Sequence, residues 1–338
     1  MLKGHGDDIC DYSGVRLNFS SNISWQADAS PLLDYLKGRM ETLRSYPEPD
    51  AGSLERAWAE SLGLPEGSVC ATSGATQAIY LIAQAFEGRR STILSPTFSE
   101  YGDACRMFRH DVGLAWSVDG LEVSGGGLCW ICNPNNPTGL VWNVDAVEEL
   151  VDSNPGCIFV IDHSYAPYTD RRLMTAAEAC SRPNVLMLHS MTKRYGVPGL
   201  RLGGITGRPA LVSEIRRFMF PWSVNALAIE AGKFLISHGN LFGMDVQSIL
   251  AERQRVSESL SAVGGMELWP SDTNMLLACL RNGKSAALKD FLVRRHGILI
   301  RDASNFEGLD DRFFRIAVQR PEEDDLLVEA IREWIYNC

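Results

Sequence analysis

Val185-Leu-Met-Leu-His-Ser190 runs without a break into Met-Thr-Lys193-Arg-Tyr-Gly-Val-Pro-Gly-Leu-Arg201, so an apolar segment of strand length ends in two hydroxyls, a lysine and an arginine. The pattern recurs upstream. Ser91 to Ser95, Leu128 to Cys132 and Cys157 to Asp162 are short apolar runs bounded by Gly, Pro, Asn or Ser, with amphipathic stretches between them. This alternation predicts an α/β fold built on a large, doubly wound, mostly parallel sheet. Helices are expected over Ser53 to Leu62, Ala75 to Phe86, Val144 to Val151, Ala226 to Ile236 and Leu241 to Val263.

After about residue 264 the pattern changes. Strands are expected at Met266 to Trp269, Thr273 to Leu280, Ile298 to Arg301 and Phe313 to Val318, with a helix near Ala286 to Arg295 and a closing helix, which predicts a smaller α+β domain. The expected division is a large domain over residues 28–249 and a small domain joining residues 1–27 to residues 250–338. In this division Val15 to Phe19 packs against the C-terminal part.

The chain has 338 residues, 45% hydrophobic and 22% charged, inside the range of ordinary globular proteins. With 32 basic and 42 acidic side chains the formal charge is −10, and the basic residues occur as isolated pairs such as Arg89-Arg90 and Arg294-Arg295. A duplex binder needs clustered positive charge, so no nucleic-acid partner is expected. No apolar run approaches the roughly 20 residues that cross a bilayer, and the first residues lack a signal-peptide core, so a cytoplasmic protein with no membrane partner is expected. Nine cysteines, an odd number scattered from Cys10 to Cys338, read as reduced thiols. Cys129-Trp-Ile-Cys132 has redox or zinc spacing, but it lies in an apolar run where residues three apart point to opposite faces, so no metal is expected.

Ligands of open α/β sheets bind outside the carboxyl ends of the strands, and four segments fall there. Ala71-Thr-Ser-Gly74-Ala75-Thr76 opens a helix whose free N–H groups suit an anion. Asn133-Pro-Asn-Asn136-Pro-Thr-Gly139 is a strong turn. Asp162 closes a buried strand three residues before Tyr165, and a carboxylate there is costly without a cationic or hydrogen-bonding partner, such as a ring N–H⁺. In Ser190 to Arg201, phosphate donors accompany an amine that its surroundings can make nucleophilic.

In order and approximate spacing, Asn136-Pro-Thr-Gly139, Asp162 with Tyr165, and Ser190-x-Thr-Lys193 with Arg201 resemble the pyridoxal-phosphate enzymes of the aspartate aminotransferase fold, fold type I. The resemblance extends over nearly the whole chain. It is strongest to the branch of histidinol-phosphate aminotransferase and threonine-phosphate decarboxylase. Gly4-His5-Gly6-Asp7, Asn18-Phe-Ser-Ser-Asn22, Tyr46-Pro-Glu-Pro-Asp50, Pro96-Thr-Phe-Ser-Glu-Tyr101, Pro221-Trp-Ser-Val-Asn225 and Ile298-Leu-Ile-Arg301 look more like the decarboxylase.

The resemblance implies roles. Lys193 would hold pyridoxal 5'-phosphate covalently and then carry protons, and Asp162 would keep the ring nitrogen protonated so that the ring is an electron sink. Asn136 and Tyr165 would bond the ring 3-oxygen. Tyr101, in preference to Phe98, would stack on the ring. Gly74, Ala75, Thr76, Ser190, Thr192 and Arg201 would hold the phosphate, and Tyr46 would reach it from a second subunit of a homodimer. Arg315, Arg301, His5, Asn22 and Asn136 would contact the substrate. His163, where the family shows a different residue, reads as a packed or solvent-facing histidine.

Within this family the bond held perpendicular to the ring is the one that breaks. A transaminase clamps the substrate carboxylate and leaves Cα–H upright, whereas a decarboxylase grips another anion and leaves the carboxylate upright. The implied reaction is decarboxylation of L-threonine O-3-phosphate to (R)-1-aminopropan-2-yl phosphate, the cobalamin side-arm precursor, with serine O-phosphate a near variant. The alternative is an aminotransferase using 2-oxoglutarate with histidinol phosphate or a related amino acid. A pyridoxal-phosphate-sensing regulator would need a basic helix-turn-helix segment, which does not precede residue 46.

Overall fold

Leu128-Cys-Trp-Ile-Cys132 and Ile158-Phe-Val-Ile-Asp162 are rich in side chains that suit a pleated surface, and all but Ile158 are buried. Strands buried on both sides are the mark of a parallel sheet covered by helices. The computed structural model describes residues 9–337. In chain order the first elements are β1 (Leu17–Asn18), α1 (Ser30–Lys37), α2 (Gly52–Ser61), β2 (Val69–Thr72), α3 (Gly74–Ala85), β3 (Arg90–Leu94), α4 (Glu100–Met107), β4 (Asp111–Ala115) and β5 (Leu128–Cys132). They are followed by α5 (Val144–Ser153), β6 (Ile158–Asp162), α6 (Ala176–Ser181), β7 (Val185–Ser190), α7 (Met191–Tyr195), β8 (Gly203–Gly207), α8 (Pro209–Arg216) and α9 (Ala226–Ser237). The large sheet has seven strands in the order β2-β8-β7-β6-β5-β3-β4. Its pairs from β7 to β4 are parallel, and β8 runs against both its neighbours.

Alternation through this sheet divides two apolar layers. Trp130, Cys132, Val160 and Leu188 pack on one side, and Cys129, Ile131, Phe159 and Ile161 on the other. Cys129 and Cys132 therefore face opposite layers, buried and unbridged, and their spacing cannot form a redox pair or a shared metal site.

The rest of the chain forms α10 (Val246–Val263), β9 (Met266–Leu268), β10 (Met275–Leu280), α11 (Ser285–Phe291), β11 (Ile298–Leu299), β12 (Arg301–Asp302), β13 (Phe313–Ala317) and α12 (Pro321–Asn337). The second sheet is antiparallel with order β12-β13-β10-β9. β1 lies parallel to β11, with Leu17 opposite Ile298, and Phe19 joins the core formed by α10, α12 and this sheet.

Two expected elements are divided. The helix expected over Leu241 to Val263 starts only at Val246, because the Asp245 side chain accepts from the Ser248 N–H at 3.1 Å and caps a new N-terminus there. The strand expected over Ile298 to Arg301 splits at buried Ile300, one half pairing with β1 and the other with β13.

Asp324 on α12 is fully buried, accepts from the Gln319 N–H at 3.0 Å and hydrogen-bonds Glu252 of α10, which Arg255 grips. Burial, followed by the Glu252 carboxyl, pushes its pKa up to about 8. The folded state therefore binds this proton more tightly than the unfolded chain. The stability it supplies is complete below the ordinary carboxyl range and is lost as pH rises through about 8. Thermal unfolding is expected to show a falling Tm from pH 6 to pH 9, and Asp324→Asn to flatten that fall. Equal slopes in both proteins would refute the shared proton.

Candidate active site

Opposition of Cys132 to Asp162, and of Asp162 to Leu188, brings the carboxyl ends of β5, β6 and β7 level. The turn after β5, the segment after β6 and α7 therefore open onto one edge of the sheet. The Asn133 N–H closes this edge on the Asp162 carbonyl at 2.9 Å, and the His163 N–H does so on the Leu188 carbonyl at 3.0 Å.

An anion cradle forms at one end of the pocket. Ala75 and Thr76 in the first turn of the twelve-residue α3 line it together with Ser190, Thr192 and Arg201. Gly74, at φ 80°, lies so near the Arg201 guanidinium that a Cβ would collide with it. Arg201 itself has φ 57°, a left-handed backbone that costs a side-chain-bearing residue about 1–3 kcal/mol. The preceding Pro198-Gly199 turn holds it there, and its Nη1 donates to the Pro198 carbonyl at 3.1 Å.

Deeper in the pocket, Asp162 is almost wholly buried, and burial raises its pKa. Its Oδ1 accepts from the Ser164 N–H at 2.8 Å and its Oδ2 from the Tyr101 hydroxyl at 2.7 Å. The position of Tyr101 differs from the expected stacking role. Its ring is 1% exposed and stacks on Trp130 at 5.5 Å, so Tyr101 braces the carboxylate, while Phe98, set edge-on to it at 5.9 Å and also lining the pocket, is the more exposed of the two rings. The reason is the helical spacing: the first turn of α4 turns Tyr101 inward beneath the sheet edge. His163 points into the opposite layer, and burial followed by nearby His189 lowers its pKa to about 3. It is a neutral packed residue that does not line the pocket.

Lys193 extends from α7 across the pocket. Its Nζ donates to Asn22 Oδ1 at 2.5 Å and lies 5.8 Å from the Tyr165 ring centre. The Asn22 amide in turn donates to the Tyr165 hydroxyl, so the N-terminal segment ties the amine to the phenol. Arg315 on β13 is buried and donates to Asn136 Oδ1 and to the Ser20 carbonyl, both at 2.5 Å, with its Nε unpartnered. Among the described residues Arg315 meets no carboxylate. Arg301 lies directly opposite it in the strand register, also buried and also lining the pocket.

Thus Asn22, Ala75, Thr76, Tyr101, Asn136, Asp162, Tyr165, Ser190, Thr192, Lys193, Arg201, Arg301 and Arg315 all border one pocket, with Gly74 beside Arg201. Tyr46 does not; it is 84% exposed and its ring is tilted against Trp222 with the ring centres 5.2 Å apart. His5 lies outside the described residues. Sequence reading missed Ser20, which acts through its carbonyl and so leaves no side-chain signal, and Asn305 with Phe306, in a turn that reads as an ordinary loop. Asn305 accepts from Arg301 Nη2 at 2.7 Å and Phe306 lies under the same guanidinium at 5.3 Å. Among the described residues no cluster could hold a metal ion, and no helix is long and apolar enough to cross a membrane.

The donor set fits pyridoxal 5'-phosphate. The cradle would hold its phosphate, Asp162 its ring nitrogen and Lys193 its reactive carbon. Arg315 occupies the Asn136 carbonyl oxygen, so only the Asn136 NH₂ can serve a ring oxygen.

Comparison with known proteins agrees with this chemistry. The threonine-phosphate decarboxylase of Salmonella typhimurium is 27% identical, over 98% of this chain and 96% of that protein. A histidinol-phosphate aminotransferase of Roseiflexus castenholzii is 31% identical, over 85% of this chain and 80% of that one. The crystal structure of L-threonine-O-3-phosphate decarboxylase from Porphyromonas gingivalis superposes with a TM-score of 0.93 at 36% identity, over 95% of this chain and all of that one. The family model for aminotransferase class I and II matches residues 17–331. A pocket with this lysine, aspartate and anion cradle, in a chain matched along almost its whole length, places the protein in the aminotransferase class I and II family of pyridoxal-phosphate-dependent enzymes.

Proposed function

We propose that the enzyme decarboxylates L-threonine O-3-phosphate to (R)-1-aminopropan-2-yl phosphate, the precursor of a cobalamin side arm. The observation that carries this reading is the pair Arg301 and Arg315, opposite each other on adjacent strands and both lining the pocket. Like charges directly across a strand pair repel, so the arrangement suits an anion that lies between them. A phosphate monoester, with up to two charges and three acceptor oxygens, matches two guanidiniums better than a carboxylate does.

Bound pyridoxal phosphate supplies the electron sink that withdraws a bonding pair from the substrate Cα. This chain decides which bond that is. With the side-chain phosphate held by Arg301, Arg315 and Asn22, the substrate carboxylate would be left without a cationic clamp. Lys193 Nζ, in the same pocket, would then deliver to Cα the proton that replaces the departed CO₂. Asp162, fixed by Tyr101 and Ser164, balances the ring charge throughout.

Arg315→Ala is expected to raise KM for threonine O-phosphate by about 100-fold, the scale of a lost charged hydrogen-bond pair, with a smaller fall in kcat. Steady-state kinetics check this, and an unchanged profile would make Arg315 a structural residue only. The reaction itself is tested by incubating cofactor-loaded protein with threonine O-phosphate and no keto acid. Equal amounts of CO₂ and aminopropanol phosphate are expected. Absence of CO₂, with glutamate formed from histidinol phosphate and 2-oxoglutarate, would make it an aminotransferase, the reading favoured by its aminotransferase relatives.

The working unit in this proposal is a homodimer. Tyr46, Trp222 and Phe220 form an aromatic patch, 84%, 50% and 73% exposed, that a second copy would cover while Tyr46 reaches the partner's phosphate cradle.

A further inference from the structure

Arg301 differs from Arg315 in what holds it. Arg315 is locked between the Asn136 side chain and the Ser20 carbonyl, whereas Arg301 is held by the turn that follows β12. That turn is held by short-range hydrogen bonds. Phe306 N–H bonds the Ala303 carbonyl at 3.1 Å, Leu309 N–H bonds the Phe306 carbonyl at 3.0 Å, and Ser304 N–H bonds Asp302 Oδ1 at 2.9 Å. Its outer end docks on the large sheet's flank, where Glu307 pairs with Arg106 of α4 and Gly308 faces Trp116 at a distance no side chain would allow.

Two residues of this turn grasp the same guanidinium from different directions. Arg301 Cζ lies over the buried Phe306 ring, 5.3 Å from its centre, and Asn305 Oδ1 accepts from Nη2 at 2.7 Å. An aromatic ring at its face and a hydrogen bond at its edge together restrict the orientation of a planar fork. The amide does this without adding a charge of its own. A carboxylate in the same place would fix the fork equally well but would also compete with any incoming anion.

We propose that Asn305 is a positioning residue that sets the selectivity of this site for phosphorylated substrates, orienting Arg301 over the Phe306 ring toward the substrate's phosphate. The inference rests on the substrate reading given above. It explains why a solvent-facing asparagine stands one residue before a buried phenylalanine: one reaches the guanidinium's edge and the other its face.

The test compares Asn305→Asp, Asn305→Ala and Arg301→Ala in the cofactor-loaded enzyme by two readouts. One is kcat and KM with threonine O-phosphate. The other is calorimetric binding of glycerol 3-phosphate, which has no amine and cannot react. Asn305→Ala is expected to weaken both KM and binding about tenfold, and Asn305→Asp by substantially more because it introduces a competing charge, with kcat changed less than about threefold. A merely structural turn residue would instead lower kcat and Tm together and would not rank Asp below Ala. If Arg301→Ala loses glycerol 3-phosphate binding while both Asn305 variants retain it, the positioning role is overturned and the phosphate reading stands. If Arg301→Ala also binds as the parent does, the phosphate reading fails and this proposal falls with it.

Discussion

Alanine at position 193 is expected to lower kcat by at least about 10⁴-fold, because one amine would do two jobs, holding the cofactor and moving the proton at Cα. The fold should survive the change. The Lys193 carbonyl accepts from the Tyr168 hydroxyl at 2.6 Å, and alanine keeps that backbone bond. Tm should therefore stay close to the parent's, while borohydride should no longer fix cofactor to the protein. Decarboxylation or transamination at a near-normal rate in Lys193→Ala would remove Lys193 from its role.

Asp162→Asn is the second large effect, expected at about 10²–10³-fold in kcat, the range seen when one preorganised electrostatic partner is lost from a transition state. The substitution nearly preserves shape and removes only charge. Because burial disfavours the ionised form of Asp162, the amide should leave stability unchanged or slightly improved. A fall in kcat with no fall in Tm is thus the signature of an electronic role, and an unchanged rate would refute it. The neighbouring hydroxyl sharpens the reading: with the amide oxygen kept on the Ser164 N–H, the amide NH₂ donates to the Tyr101 hydroxyl oxygen, so the shape persists while the charge facing the ring does not.

Much of this was legible in the residues. The parallel strands announced themselves because both faces are buried, which leaves continuous apolar runs such as Leu128 to Cys132 with turn residues immediately after them. Asp162 and Lys193 were legible because a buried carboxylate and a lysine among hydroxyls both demand a partner. The orientation of Tyr101 was not, since whether a ring stacks on a ligand or on Trp130 is set by how α4 sits on the sheet, which local sequence does not specify. Ile300 hid a change of partner strand, because a fully buried residue looks alike in either sheet. Ser20 and Asn305 were hidden for different reasons, the first acting through its backbone and the second meeting Arg301 only once a turn has folded back.

The short parallel pairing of β1 with β11 has a consequence for synthesis. Arg16 hydrogen-bonds the carbonyl of His296, a residue 280 positions away in the chain, and the neighbouring segment supplies Asn22 and the Ser20 carbonyl to the pocket. On the ribosome β1 emerges before β11 and waits for that partner until the whole of the large sheet has been made. The seven-stranded sheet can form long before then, since its strands end at Gly207. Binding competence therefore follows the large sheet in time, and a copy cut short before β11 would keep the strands of that sheet yet be unable to grip a substrate.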